Sequence, residues 1–123
     1  MSHPIRNGKL QTRLLEYSAA YHCNLNCAHC SHLSPYTPRG FPSCDSLAAD
    51  LERLAIVLHT EEFRLLGGEP LLNPELPTLA QIVRDSGITD TLVVTTNGLL
   101  LHRMDERLWP IIDRLDVTIY PDA

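Results

Sequence analysis

Three apolar runs in this chain stop at residues that neither a strand nor a helix selects. Leu14 to Tyr21 runs into Cys23, Cys27 and Cys30, Phe63 to Leu66 into Gly67 and Gly68, and Thr91 to Thr95 into Asn97 and Gly98. Leucine stripes with helical spacing lie between the runs. This alternation restricts the chain to parallel strands joined by right-handed crossover helices, the α/β class.

The stripe Leu47, Leu51, Leu54 and Leu58 predicts a helix capped by Asp45 or Ser46. A second helix is predicted to begin with Pro77 in its first turn, to turn Leu79, Ala80 and Val83 inward, and to stop at Gly87. A third is read over Leu100 to Leu108, with Leu101, Met104 and Leu108 inward, and Leu115 to Tyr120 supplies a fourth strand. Residues 1–13 read as an approach segment, leaving 14–123 as the domain. Pro35, Pro38, Gly40 and Pro42 make residues 31–45 a long loop.

That order places the thiols, Gly67-Gly68-Glu69-Pro70 and Thr95-Thr96-Asn97-Gly98 just beyond the carboxyl ends of successive strands. Sites in α/β architectures are built at that edge. A fourth strand finishing near the terminus leaves a parallel edge without a neighbour, so the chain is expected to be the first part of something longer or one piece of an assembly.

Composition narrows the function classes. A chain of 123 residues accommodates one small domain, and 44% apolar with 20% charged residues fits a packed core. The net charge of -5 argues against general nucleic-acid binding. No export signal and no membrane-spanning apolar run is read, so a cytoplasmic location is expected, with thiols reduced or bound to metal.

Cys23, Cys27 and Cys30 follow Cys-x3-Cys-x2-Cys spacing. Three thiolates in one short loop suit iron or zinc. A closed zinc site needs a fourth ligand, for which Cys44, His22, His29 and His32 are available; a [4Fe-4S] cluster with one open iron needs none. Spacing alone leaves a small zinc-stabilised binding module and an iron-sulfur site both open. Cys44, apart from the other three, is expected to be a free thiol. Tyr36 and Phe41 either cover the thiols or anchor the loop, and Asp113, Asp116 and Asp122 are given no role on charge alone.

Cys23-Asn24-Leu25-Asn26-Cys27-Ala28-His29-Cys30 resembles the cluster motif of the radical S-adenosylmethionine (radical SAM) enzymes. Gly67-Gly68-Glu69-Pro70 resembles their second motif, and Thr95-Thr96-Asn97-Gly98 is similar to a third common feature. The resemblance runs from about Leu14 to Tyr120 and implies the first four units of a partial (β/α)6 TIM-like barrel. It also implies a [4Fe-4S] cluster and S-adenosylmethionine, an oxidoreductase or maturase-type activity that abstracts a substrate hydrogen, and a one-electron reductant such as flavodoxin or ferredoxin. Cys23, Cys27 and Cys30 would each ligate one iron. Gly67 and Gly68 would admit the methionine amino group, Glu69 would orient or neutralise it, and Pro70 would fix the turn. Thr96 and Asn97 would line the floor of the cofactor site, His29 would stand near the adenine, and Thr118 would reach the cofactor from the fourth strand. The substrate is not specified, and these residues alone could form a catalytically incompetent fragment.

Overall fold

The computed structural model describes residues 5–6, 8–20 and 41–118. Cys23, Cys27, Cys30, His22, His29, His32, Tyr36 and Asp122 lie outside the described residues. The elements are β1 (Ile5–Arg6), β2 (Lys9–Ala20), α1 (Cys44–Val57), β3 (Leu58–Gly67), α2 (Leu76–Ser86), β4 (Thr89–Thr96) and β5 (Arg114–Val117). Short 3-10 turns occupy Pro70–Leu72, Leu101–Arg103 and Glu106–Leu108.

One sheet carries the strands in the order β1-β2-β3-β4-β5. β1 pairs antiparallel with β2, and the pairs β2-β3, β3-β4 and β4-β5 are all parallel. Sequential parallel order with intervening helices is how a (β/α) barrel winds.

Alternation along the strands sorts the sheet into two faces. Leu15, Tyr17 and Ala19 of β2, Phe63 and Leu65 of β3, Leu92 and Val94 of β4, and Leu115 of β5 pack in the core with Leu47 and Leu51 of α1 and Leu79, Ala80 and Val83 of α2. The opposite face carries charged residues beside Leu66 and Val93. There Arg64 bridges Glu16 and Glu62, while Arg114 bridges Glu62 and Asp116. Asp116 is thereby an ion-pair partner of Arg114.

Several expectations change in detail. The chain before Leu14 does more than approach the domain, since a hairpin from Ile5 leads into a strand already formed at Lys9. The cap of α1 is Ser43, whose hydroxyl accepts from the Ser46 N–H at 3.3 Å, rather than Asp45 or Ser46. Leu58 leaves the helical stripe because β-branched Ile56 and Val57 end α1 and β3 starts at once. β3 is therefore longer than the segment Phe63 to Leu66.

The helix read over Leu100 to Leu108 is two 3-10 turns instead. Met104 and Asp105 between them are extended, and the Asp105 carboxylate accepts from the Arg107 N–H at 2.9 Å, so the second turn has its own cap. The apolar pattern holds in part, for Leu108 is buried and Met104 packs against the core, whereas Leu101, expected inward, is only half-buried. α2 matches its expectation, with Gly87 as a left-handed stop at φ 70°. Among the described residues no helix is long and apolar enough to cross a membrane.

Candidate functional site

The carboxyl ends of β2, β3 and β4 converge through their register. A bulge between Ser18 and Ala20 sets Ala20 opposite Gly67, and the Gly68 N–H donates to the Ala20 carbonyl at 2.9 Å. Gly67 has φ 121°, and a Cβ there would collide with the Ala20 carbonyl and come within 3.2 Å of Ser18 Cα. What this glycine clears is the backbone of β2, three residues before Cys23.

Glu69 follows, fully buried. Its Oε1 accepts from the Leu71 N–H at 3.1 Å and from the Thr96 hydroxyl at 2.5 Å, and its Oε2 accepts from the Asn97 N–H at 2.8 Å. The carboxylate thus bolts the turn after β3 to the end of β4. Pro70 is buried at the start of the 3-10 turn. Thr96 also accepts from the Gly98 N–H at 3.1 Å, and its carbonyl accepts from the Thr118 N–H at 2.8 Å. Thr118 is exposed, and alternation along β5 puts it on the side of Arg114 and Asp116, opposite Leu115.

The two threonines of β4 part company here. Thr96 shares the helix-facing side with Leu92 and Val94, whereas Thr95 points to the opposite face. The Thr95 Oγ1 is buried without a hydrogen-bond partner among the described residues. Such an atom calls for explanation, because nearly all buried polar groups find partners.

Cys44 opens α1 and forms no disulfide. Its Sγ donates to Glu75 Oε2 at 3.1 Å. Partial burial, followed by this hydrogen bond and the charges of Glu75 and Asp45, pushes the thiol up to about 11. At neutral pH it is held as the protonated donor to Glu75.

Asn73 escaped the sequence reading. It is buried, its Nδ2 donates to the Ala19 carbonyl at 2.8 Å, and its Oδ1 accepts from the Glu75 N–H at 2.8 Å. Asn73-Pro74 signals a turn, and no local pattern reveals a contact reaching back to Ala19. Asp113 holds the Leu92 N–H at 2.7 Å and Arg84 at 2.7 Å, a structural role for a residue given none from charge. Among the described residues no three His, Cys, Asp or Glu side chains gather as a metal site.

A parallel sheet wound in chain order, helices packed on one face, and a braced cluster of turns at the carboxyl edge define a partial (β/α) barrel. The family comparison gives that class its membership. The chain belongs to the radical SAM superfamily, whose family model matches residues 17–120.

Among curated relatives, the GTP 3',8-cyclase of Microcystis aeruginosa is 31% identical over 103 residues, covering 80% of this chain and 31% of the relative. That of Chlorobaculum tepidum is 36% identical over 87 residues, covering 70% and 26%. Of solved structures, anSMEcpe with bound AdoMet superposes with a TM-score of 0.58 at 26% identity, covering 74% of this chain and 27% of that one. Native anSMEcpe with bound AdoMet and Cp18Cys peptide gives 0.54 at 25%, covering 80% and 27%. The chain spans about a quarter to a third of the length of these proteins.

Proposed function

We propose that residues 14–123 are the cofactor-binding part of a radical SAM enzyme, in which Cys23, Cys27 and Cys30 hold a [4Fe-4S] cluster and the turns after β3 and β4 hold S-adenosylmethionine. The observation that carries this reading is the convergence of the end of β2, Gly67-Gly68-Glu69-Pro70 and Thr95-Thr96-Asn97-Gly98 on one sheet edge. Three thiolates suit iron-sulfur ligation, and the Cys44 thiol is engaged by Glu75. When bound, the cluster and S-adenosylmethionine supply reductive cleavage of the sulfonium and a 5'-deoxyadenosyl radical that removes a substrate hydrogen.

The chain's own residues bind and orient. The hydrogen bond from Gly68 to Ala20 brings the glycine turn against the strand that leads to the thiols. Glu69 braces β3 against β4, and its Oε2, holding one N–H, keeps acceptor capacity for the methionine ammonium. Pro70 fixes the turn. Thr95 offers a hydroxyl unpartnered among the described residues, so on β4 it joins Asn97 as a candidate cofactor contact, while the Thr96 hydroxyl is engaged by Glu69. His29 near the adenine and Thr118 from the end of β5 complete the set.

A one-electron reductant such as flavodoxin or ferredoxin is the expected partner. The substrate is a compound that yields hydrogen to a carbon radical. The curated relatives named above are GTP 3',8-cyclases, but the shared segment is about a quarter to a third of their length, so the likeness supports common cofactor chemistry and not a common substrate.

Activity is assigned to the full-length polypeptide, and the assay is set there. Anaerobic reconstitution with iron and sulfide should give about four irons per chain, and dithionite with S-adenosylmethionine should then yield 5'-deoxyadenosine. A properly reconstituted protein that forms none of this product would overturn the assignment.

A further inference from the structure

We propose that Asn73 and Glu75 are positioning residues that clamp both ends of the cysteine-bearing segment to one point on the turn between β3 and α2. This rests on the reading of Cys23, Cys27 and Cys30 as cluster ligands.

The two ends of that segment are far apart in sequence. β2 stops at Ala20 and α1 starts at Cys44, with all three clustered cysteines between them. At the entry, the Asn73 Nδ2 donates to the Ala19 carbonyl at 2.8 Å, beside the bond from Gly68 to Ala20. At the exit, the Cys44 thiol donates to Glu75 Oε2 at 3.1 Å. The two contacts are linked, because the Asn73 Oδ1 accepts from the Glu75 N–H at 2.8 Å.

Asn73 is only 4% exposed, and its backbone is held as well: its N–H donates to Pro70 at 3.0 Å and its carbonyl accepts from Leu76 at 3.1 Å. Both ends of the amide are in use, so no isosteric apolar side chain can replace it. A turn alone would require neither the amide nor its reach across to β2. Three thiols on a loop present one geometry to a metal only if the ends of the loop are fixed, as supporting contacts fix ligands in metal sites generally.

The two contacts differ in strength. The Asn73 bond is buried, and deleting it takes this donor from the Ala19 carbonyl, which should speed local opening of the entry by about tenfold. The Cys44 bond lies at the surface, and its loss should speed opening by about twofold to threefold.

The test uses the full-length protein with Asn73→Ala, Asn73→Asp, Cys44→Ala and Cys44→Ser. Amide hydrogen exchange is followed over residues 21–43 in the metal-free protein, and loss of visible cluster absorbance to a chelator is followed in the reconstituted one. Asn73→Ala should raise exchange within that segment and bleach about tenfold faster. Asn73→Asp, which keeps the acceptor for Glu75 but sets a carboxylate against the Ala19 carbonyl, should behave no better.

Cys44→Ala should show a smaller effect, and Cys44→Ser, whose hydroxyl still donates to Glu75, should restore the wild-type result. Unchanged exchange and bleaching in Asn73→Ala and Cys44→Ala, or faster exchange spread evenly over the whole sheet, would overturn the clamp. Should the wild type take up no iron while Asn73→Ala still loosens residues 21–43, the clamp stands and the cluster assignment falls.

Discussion

The Thr96 hydroxyl donates to the buried carboxylate of Glu69 at 2.5 Å, joining the turn after β3 to the last residue of β4. Leu71 and Asn97 supply two more N–H donors to the same group. Truncation takes the acceptor from the buried Thr96 hydroxyl and from the half-buried Leu71 and Asn97 N–H groups, so Glu69→Ala should lose about 2–4 kcal/mol of stability. Thr96→Val removes one donor and should lose about 1 kcal/mol. Urea unfolding should show a lower midpoint with an unchanged slope. A loss under about 0.5 kcal/mol for Glu69→Ala, the level of an ordinary surface substitution, would show that the brace contributes little.

Gly67 makes a second prediction, because its positive φ and its contact with β2 penalise any side chain. Gly67→Ala must move the Ala20 carbonyl or distort the bulge, and should lose about 3 kcal/mol, more than Gly68→Ala. Thermal melts of both variants without ligand separate packing from cofactor contact. Equal melting temperatures would place the need for glycine at Gly67 in ligand approach alone.

How far the sequence could be read depended on the range of each interaction. The spacing of Leu79, Ala80 and Val83, and the stop at Gly87, are local, and α2 appears where they put it. The parallel order followed from strand ends that no hairpin could join. The stretch from Leu100 to Leu108 misled because its apolar spacing suits a helix while Asp105 prefers to cap, and two 3-10 turns satisfy both. Thr95 and Thr96 could have been told apart: Leu92 and Val94 are core, so period-two alternation sends Thr96 to the helix side. Asn73 could not have been found this way, since its partner Ala19 is distant in sequence and a backbone carbonyl carries no sequence signal.

Asp113 predicts a pH dependence. Its carboxylate accepts the Leu92 N–H and pairs with Arg84, which together hold it below the ordinary carboxylate range, the backbone hydrogen bond being the larger cause. A depressed folded-state value means that the stabilisation is fully present above the unfolded value of about 3.8 and is lost as pH falls through the folded one. Glu62 and Asp116, lowered first by hydrogen bonds from Arg64 and Arg114 respectively, act in the same direction. Unfolding free energy should therefore fall as pH drops below about 4, and Asp113→Asn should flatten that fall. Identical acid profiles for the variant and the wild type would remove Asp113 from the account.

Thr95 allows fold and ligand to be separated at one residue. Its buried hydroxyl has no partner among the described residues, so Thr95→Val deletes no hydrogen bond there and should leave the melting temperature unchanged or slightly raised. A threonine that served the fold would behave in the opposite way, as Thr96→Val should. If the hydroxyl meets S-adenosylmethionine, the same substitution in the reconstituted full-length protein should weaken cofactor binding by about fivefold to tenfold, the worth of one hydrogen bond. Equilibrium titration with S-adenosylmethionine, read by calorimetry, checks this. Affinity unchanged in Thr95→Val would take this residue out of the cofactor site, and a lowered melting temperature without ligand would mean that the hydroxyl has a partner within the protein.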